Sequence, residues 1–359
     1  MKVALVYDRV NKWGGAERVL LALHKLFPNA PLYTSLYDSD KAKWAKVFDV
    51  KSSFLNSASS LRQYNDLLAM FMPIVFESFD FSEYDLVISV TSEAAKGIVT
   101  TGKTKHICIC LTPTRYLWSG YDEYFQNKLI KFLSKGATWY LRNWDKIAAN
   151  RPDKYVAIST EVKKRIKEYY KRNSEIVFPP LLIDSPKKIK KIKGDYFLMV
   201  SRLSRFSYYK KVDLAINTFN NSNYKLKVIG TGPLLKEFRE RSGKNIEFLG
   251  AVTDSELASY YSNAKALIFP GLEDFGLVMA EAQFFGTPVI AYNKGGARDI
   301  VIAGKTGEFF SEQTEESLLG ALKKFNESSY NKKEIRENAK RFSYQAFSRG
   351  IKNIINNTL

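Results

Sequence analysis

Short apolar runs alternate with helix-like stretches along the whole chain. In the first half the runs are KVALVYD, APLYTSLY, YDLVISV, HICICLT, KYVAIST and EIVFPP, and in the second they are YFLMVSR, YKLKVIG, IEFLG, ALIFP and TPVIAY. Many are continuous rather than alternating and rich in Val, Ile, Leu or Tyr, as strands buried on both faces of a sheet should be. Between them lie stretches such as GGAERVLLALHKLF, EVKKRIKEYYKR and DSELASYYSNA. Strand, helix, strand repetition predicts parallel α/β sheets with right-handed crossovers. A chain of 359 residues suits two such domains better than one. The stretch FPPLLIDSPKKIKKIKGD, with three prolines and a lysine run, has no periodicity and reads as a linker. The expected division is a first Rossmann-like domain over 1–183, a linker over 184–193 and a second Rossmann-like domain over 194–341, with a final helix over 342–359. Ligands of such sheets bind outside the carboxyl ends of the strands, so two facing domains suggest two ligands meeting in a cleft.

Composition narrows the function classes. The two cysteines, Cys108 and Cys110, share one strand face in HICICL and read as core thiols. They make neither a disulfide framework nor a metal-ligand spacing, and a reducing compartment fits. The start MKVALVYD is too short for the apolar part of a signal peptide. No apolar run approaches the ~18 residues of a membrane span, and LLAMFMPIVF, about half that, contains Pro73. The expectation is a cytoplasmic protein, or one held peripherally on the inner face of the plasma membrane. A net charge of +18 suggests a polyanionic partner: nucleic acid, anionic lipid or a phosphorylated substrate. A solvated basic surface is the alternative. No helix-turn-helix, zinc-finger or RRM signature accompanies the charge, so no nucleic acid partner is expected.

Candidate chemistry concentrates in FPGLEDFGLVMAEAQFFGTPVIAYNKGGARDIV. An apolar strand ends at Phe269 and Pro270, a loop with Glu273 and Asp274 follows, and Gly276 opens a helix carrying Glu281. The next strand ends in Gly295 and Gly296. The free amides of such a helix start bind phosphate, and the helix dipole adds to the attraction. Gly276 lets the backbone come close to an anion. An acid on that loop suits something beyond the phosphates, such as a sugar, and Glu281, one to two turns into the helix, suits a ribose diol.

This segment resembles the E-x7-E region of the retaining GT-B glycosyltransferases, the large group called glycosyl transferases group 1 or GT4, and it is similar to bacterial polysaccharide and O-antigen mannosyltransferase-like members. Three further segments agree. SRLSRFSYYKKVDLAINTF is similar to the family's diphosphate-binding strand, loop and helix, with Arg202 and Lys210 at the basic positions and a loop about three residues longer than the common form, so that Lys211 is an alternative to Lys210. VIGTGPLLKEFRE resembles the G-x-G-P turn in which Gly230 and Gly232 approach the nucleotide. NKWGGAERVL resembles the glycine loop opening the first helix, where Gly14 and Gly15 bring amides toward the phosphates or the transferred sugar. The resemblance implies a donor site in which Glu273 holds donor-sugar hydroxyls and Glu281 the ribose. Arg202 and Lys210 stabilise the departing diphosphate, helped by amides near Phe275, Gly276, Leu277 and Val278. It also implies retention of anomeric configuration, and an N-terminal domain that receives the acceptor and takes back the last helix of the chain. A front-face displacement, with the leaving phosphate accepting the acceptor's proton, needs no protein nucleophile, and no Ser-His-Asp or Cys-His set is visible.

One position departs from the family pattern. In CICLTPTRYLW the histidine that usually precedes Thr-Pro is replaced by Leu111, and His106 reads as a core or edge residue of the preceding strand. A leucine there removes a hydrogen bond near the exocyclic carbon of the donor sugar, which leaves a 6-deoxy sugar such as rhamnose or fucose and an ordinary hexose both open. Thr112, Arg115 and Tyr116 follow and are expected on the acceptor side. The pair Asp38 and Asp40 imitates a metal-binding D-x-D but reads as a turn or helix cap, so neither a metal nor a cofactor is expected. The stretch YFQNKLIKFLSKGATWYLRNWDK mixes cations with large apolar residues. It suits either a surface helix on an anionic membrane, as a lipid-linked acceptor requires, or an amphipathic helix buried against its own sheet.

The competing functions are a sugar-nucleotide 2-epimerase, an NAD-dependent enzyme and a non-catalytic basic binding protein. With His24 and His106 as the only histidines, proton abstraction by imidazole is poorly served. No G-x-G-x-x-G opens the first strand-helix unit. The full set of Glu273, Glu281, Arg202 and Lys210 argues against lost activity.

Overall fold

The computed structural model describes residues 1–57, 67–183, 189–192, 194–204 and 209–359. The chain divides into two units, Met1–Pro180 with Tyr344–Leu359, and Leu181–Ser343. Part of the stretch expected to be a linker, 184–188 and 193, lies outside the described residues, as does 58–66, within the apolar segment near Pro73.

In the first unit seven strands form one parallel sheet: β1 (Val3–Tyr7), β2 (Leu32–Thr34), β3 (Val50–Ser52), β4 (Leu86–Thr91), β5 (Lys105–Cys110), β6 (Lys154–Ala157) and β7 (Glu175–Ile176). Their order is β3-β2-β1-β4-β5-β6-β7. The second unit has a six-stranded parallel sheet of β8 (Phe197–Val200), β9 (Leu226–Ile229), β10 (Ile246–Gly250), β11 (Leu267–Phe269), β12 (Val289–Tyr292) and β13 (Gly307–Phe310), in the order β10-β9-β8-β11-β12-β13. Two doubly wound parallel-sheet units are the fold class that the repetition predicts.

Burial explains why the pattern was readable. Every residue of β1, β4, β11 and β12 is buried, so each had to be apolar or internally bonded throughout. The two strands absent from the predicted runs, β3 and β13, are edge strands. β3 reads Val-Lys-Ser with its last two residues exposed, and β13 is half-buried over Glu308 and Phe309. An edge strand needs no continuous apolar run, and these two carry none long enough to read, whereas the edge strands β7 and β10 do lie in apolar runs.

The helices follow from their caps and faces. DSELASYYSNA is the helix Asp254–Asn263, started by a capping box between Thr253 and Glu256. GGAERVLLALHKLF becomes Gly15–Leu26, with Val19, Leu20, Ala22 and Leu23 buried. EVKKRIKEYYKR is helical over Thr160–Arg165 and continues as a wider turn over Ile166–Tyr170, which buries the Tyr170 ring 5.3 Å from Lys96 Nζ. The final helix, Tyr344–Asn356, buries Phe347, Ile351, Ile354 and Ile355, and its Tyr344 ring lies 5.5 Å below Lys25 Nζ. No described helix is long and apolar enough to cross a membrane.

Candidate functional site

Strand order reverses between β8 and β11 in the second unit, and the loops leaving their carboxyl ends lie side by side. Leu272 N donates to Tyr209 O at 3.0 Å. A Cβ on Gly271 would stand 2.8 Å from Lys210 Cα, so glycine is what lets these backbones touch. Across this seam the Lys210 ammonium donates to the Glu273 carboxylate in a close ion pair, both side chains about four-fifths buried. Burial pulls the Lys210 pKa down, but the charge and hydrogen bond of Glu273 outweigh it and the net shift is upward. Arg202 is exposed, and its charge is felt at Lys210. Lys211 instead starts the helix Val212–Asn220 in a left-handed conformation, φ 52°, so Lys210 is the cation beside Glu273. Residues 205–208 of this loop lie outside the described residues.

The acidic loop is clamped from its other side by Gly295 and Gly296. Gly296 N donates to Glu273 O at 2.9 Å, and a Cβ there would fall 2.2 Å from Phe275 O. Gly276 takes φ 88° and opens the helix Leu277–Phe284 without a side-chain cap, so its first amides are not claimed by a capping side chain. The Phe275 ring is buried against Phe342, centroids 5.5 Å apart. The role of Phe275, Leu277 and Val278 toward an anion therefore falls to their backbone. Glu281 is buried in that helix and accepts from the Tyr261 hydroxyl at 3.0 Å. Gly230 and Gly232 have positive φ, and a Cβ on either would lie 1.8 or 2.0 Å from the carbonyls of Ser201 or Leu203. Their lack of a side chain serves the packing of one loop on the other, with Leu203 N donating to Thr231 O at 2.9 Å.

The first unit has its own reversal, between β1 and β4. Asp8, one residue past β1, is buried and accepts from the Thr91 hydroxyl and from the amides of Ser92, Glu93, Ala94 and Ala95, all at 2.7–3.0 Å. These bonds fix the loop after β4. Glu93 on that loop accepts from Arg9 at 2.8 Å and from the Tyr116 hydroxyl at 2.9 Å. Burial raises the Glu93 carboxyl above its ordinary range, against the opposing charge of Arg9. Beneath the loop, Lys96 and Asp145 form a fully buried ion pair at 2.5 Å. Lys96 Nζ also donates to Glu93 O at 2.6 Å, and Asp145 accepts from Trp118 Nε1 at 2.7 Å and Thr114 Oγ1 at 3.1 Å. Gly14 is extended and gives the helix Gly15–Leu26 no side-chain cap. Of the residues expected on the acceptor side, Tyr116 joins the Glu93 cluster. Thr112 is buried with its hydroxyl 3.5 Å from Arg165, and Arg115 is half-buried.

His106 is a buried core residue whose Nε2 meets Ser89 Oγ at 2.8 Å; burial, aided by the charges of Arg151 and Arg172, lowers its pKa to about 3. Cys108 and Cys110 are buried free thiols of β5, and burial pushes Cys108 up to about 12. Asp38 Oδ1 accepts from the amides of Asp40 and Lys41, both at 3.2 Å, which is the turn expected of that pair.

Residues 183–342 match the family model of glycosyl transferases group 1. The matched stretch runs through the second unit, Leu181–Ser343. An uncharacterized glycosyltransferase of Methanocaldococcus jannaschii is 28% identical over 207 residues, 56% of this chain and 58% of that one. The D-rhamnosyltransferase WbpZ of Pseudomonas aeruginosa is 29% identical over 125 residues, 33% of this chain and 32% of that one. The matched stretches thus span less than two thirds of these relatives' own lengths. Among solved structures, Anabaena HepE in complex with UDP superposes with a TM-score of 0.73 at 19% identity, covering 99% of this chain and 100% of that one. The apo lipopolysaccharide outer core galactosyltransferase WaaB gives 0.69 at 19% identity, covering 100% of both. The fold they share with this chain is GT-B.

Within the unit that matches glycosyl transferases group 1, the structure brings Lys210, Glu273 and the start of the Leu277 helix to one sheet edge, with Arg202 beside them. Gly295 and Gly296 were visible in the sequence as a glycine pair, but their clamp on Glu273 depends on a contact about twenty residues away. Arg9 and Glu93 carried no motif at all, because their pairing spans 84 residues of chain.

Proposed function

We propose that the protein is a retaining glycosyltransferase. It moves a hexosyl or 6-deoxyhexosyl group from a nucleotide diphosphate sugar, with GDP-, UDP- or dTDP-linked donors all within the reading, to a glycan or lipid-linked saccharide in bacterial surface polysaccharide assembly. The observation that carries this is the Lys210–Glu273 pair at the strand-order reversal of the second sheet, beside an uncapped helix start. The diphosphate lies against the amides of Phe275 to Val278 with Arg202 and Lys210 as counter-charges. Glu273, oriented by Lys210, accepts hydrogen bonds from donor-sugar hydroxyls, and Glu281 from the ribose. Departure breaks the bond from the anomeric carbon to the diphosphate oxygen. The acceptor oxygen bonds to the same face, and its proton passes to the leaving phosphate. The reaction needs no metal or cofactor. HepE, a structure with the same fold, is described in complex with UDP, which supports a nucleotide-bound donor.

Leu111 favours a 6-deoxy donor as the finer reading. It stands where the pattern of the family it resembles has a histidine, its side chain offers no hydrogen bond, and WbpZ is named a D-rhamnosyltransferase. The acceptor side includes the Tyr116 and Glu93 cluster of the first unit. Peripheral placement at the inner face of the plasma membrane, with a lipid-linked acceptor, belongs to the same reading.

The test is a hydrolysis and transfer screen across nucleotide sugars, with and without EDTA, with the anomeric configuration of the product read by NMR. Lys210→Met and Glu273→Gln are each expected to lower kcat about 10²- to 10³-fold, the usual loss for one oriented donor or acceptor at a transition state. Turnover of no nucleotide sugar, an inverted product, or Lys210→Met within threefold of wild type would sink the proposal. Activity abolished by EDTA would overturn the metal-free mechanism.

A further inference from the structure

The helix Lys128–Leu133 buries none of its six residues. Its Leu129, Ile130, Phe132 and Leu133 are each more than half exposed, and Leu133 reaches 71%. The adjoining helix Lys135–Ala148 buries only Thr138, Leu141, Asp145 and Ala148, and leaves Trp139 71% exposed. The amphipathic segment is therefore not consumed by its own sheet. Large apolar side chains gathered on so short a surface mark a binding face.

Charge identifies the partner. Lys128, Lys131, Lys135, Arg142 and Lys146 stand on these two helices, and the one acid among them, Asp145, is buried and paired with Lys96. Lys135, Trp139, Arg142 and Lys146 follow one another at helical spacing. With Tyr121 and Asn143 they wall an open recess of about 440 Å3 that no carboxylate lines. Arg142 is held in place: its Nε donates to Leu117 O at 2.7 Å, and its guanidinium lies 4.7 Å from the Tyr121 ring. A cationic recess beside exposed leucine, phenylalanine and tryptophan matches the chemistry of a lipid–water boundary, where tails meet phosphates.

We propose that the helices Lys128–Leu133 and Lys135–Ala148 form an interfacial wedge. Leu129, Ile130, Phe132, Leu133 and Trp139 enter the acyl boundary of an anionic leaflet, and the recess of Lys135, Arg142 and Lys146 receives a lipid phosphate headgroup. The wedge lies on the bilayer and does not cross it. This rests on the membrane part of the proposed function and is independent of the transferase part.

The experiment is flotation of the full chain with phosphatidylcholine vesicles, with and without phosphatidylglycerol, together with tryptophan emission. Binding is expected with phosphatidylglycerol present, accompanied by a blue shift that Trp139→Phe removes. Leu133→Asp should weaken binding about tenfold or more, and Lys135→Ala with Lys146→Ala about thirtyfold. Donor hydrolysis by Leu133→Asp without vesicles should equal wild type, so a failed wedge is distinguishable from a failed transferase. Equal binding to neutral vesicles, an unshifted Trp139, wild-type binding by Leu133→Asp, or self-association without vesicle binding would each overturn the proposal.

Discussion

Replacing Asp145 with alanine strands Lys96 as a buried, uncompensated charge. Both side chains are 1% exposed and their charged atoms are 2.5 Å apart. At an effective dielectric constant of ~20 that separation corresponds to an attraction of about 7 kcal/mol. Dehydrating the two ions costs several kcal/mol each, so the pair as a whole adds little stability. Breaking it is different. Lys96 keeps its dehydration cost without its partner, and Trp118 Nε1 loses its acceptor. Asp145→Ala should lose about 3–5 kcal/mol, while Lys96→Met with Asp145→Leu, which removes both charges, should stay within about 2 kcal/mol of wild type.

The pH dependence gives a second readout. Burial lowers the Lys96 pKa, yet Asp145 more than compensates and holds it above the ordinary 10.5. In the wild type the contribution is therefore constant below that value and is lost only as pH rises through the folded pKa. In Asp145→Ala the dehydration acts alone and the folded pKa falls below the unfolded one. Between the two values the unfolded chain binds more protons, and stability rises with pH. All five tryptophans (Trp13, Trp44, Trp118, Trp139 and Trp144) lie in the first unit, so urea unfolding followed by their emission reports that unit alone. A loss below about 1 kcal/mol, a flat pH profile in Asp145→Ala, or a double variant as unstable as the single one would refute the reasoning.

Gly296→Ala puts a Cβ 2.2 Å from Phe275 O and must displace the acidic loop; donor turnover is expected to fall about a hundredfold. Gly304→Ala, at φ 72° but in open space, should cost only about 1–2 kcal/mol of stability and leave kinetics unchanged. Equal kinetics in the two variants would contradict the clamp. His106 is neutral in the fold down to about pH 3, whereas the unfolded imidazole protonates near 6.5. Its burial thus removes stability as pH falls below 6.5, by up to about 1.4 kcal/mol per pH unit. His106→Gln should show a shallower acid slope in tryptophan-monitored unfolding; an unchanged slope would place the acid sensitivity elsewhere.

The core strands of both sheets were legible because a strand buried on two faces must be apolar at every position. That constraint acts through the local sequence, and so do the glycines that permit close backbone contact and the Thr253–Glu256 cap. The run after β11 was legible for the same reason: strand end, acid, glycine and helix start are consecutive residues. The edge strands β3 and β13 escaped because β3 is largely exposed and β13 is only half-buried at its middle positions, which relaxes the demand for apolar residues. Only the tertiary structure decided that Lys210 rather than Lys211 meets Glu273, since one residue of register at a helix start turns a side chain away. It alone decided the ion pairs Lys96–Asp145 and Arg9–Glu93, because an ion pair constrains two side chains to meet without constraining the sequence between them. It likewise decided that the helix Lys128–Leu133 buries none of its residues, while Lys135–Ala148 buries one face. Amphipathic spacing states that a face is apolar, and what covers that face depends on elements far away in the chain.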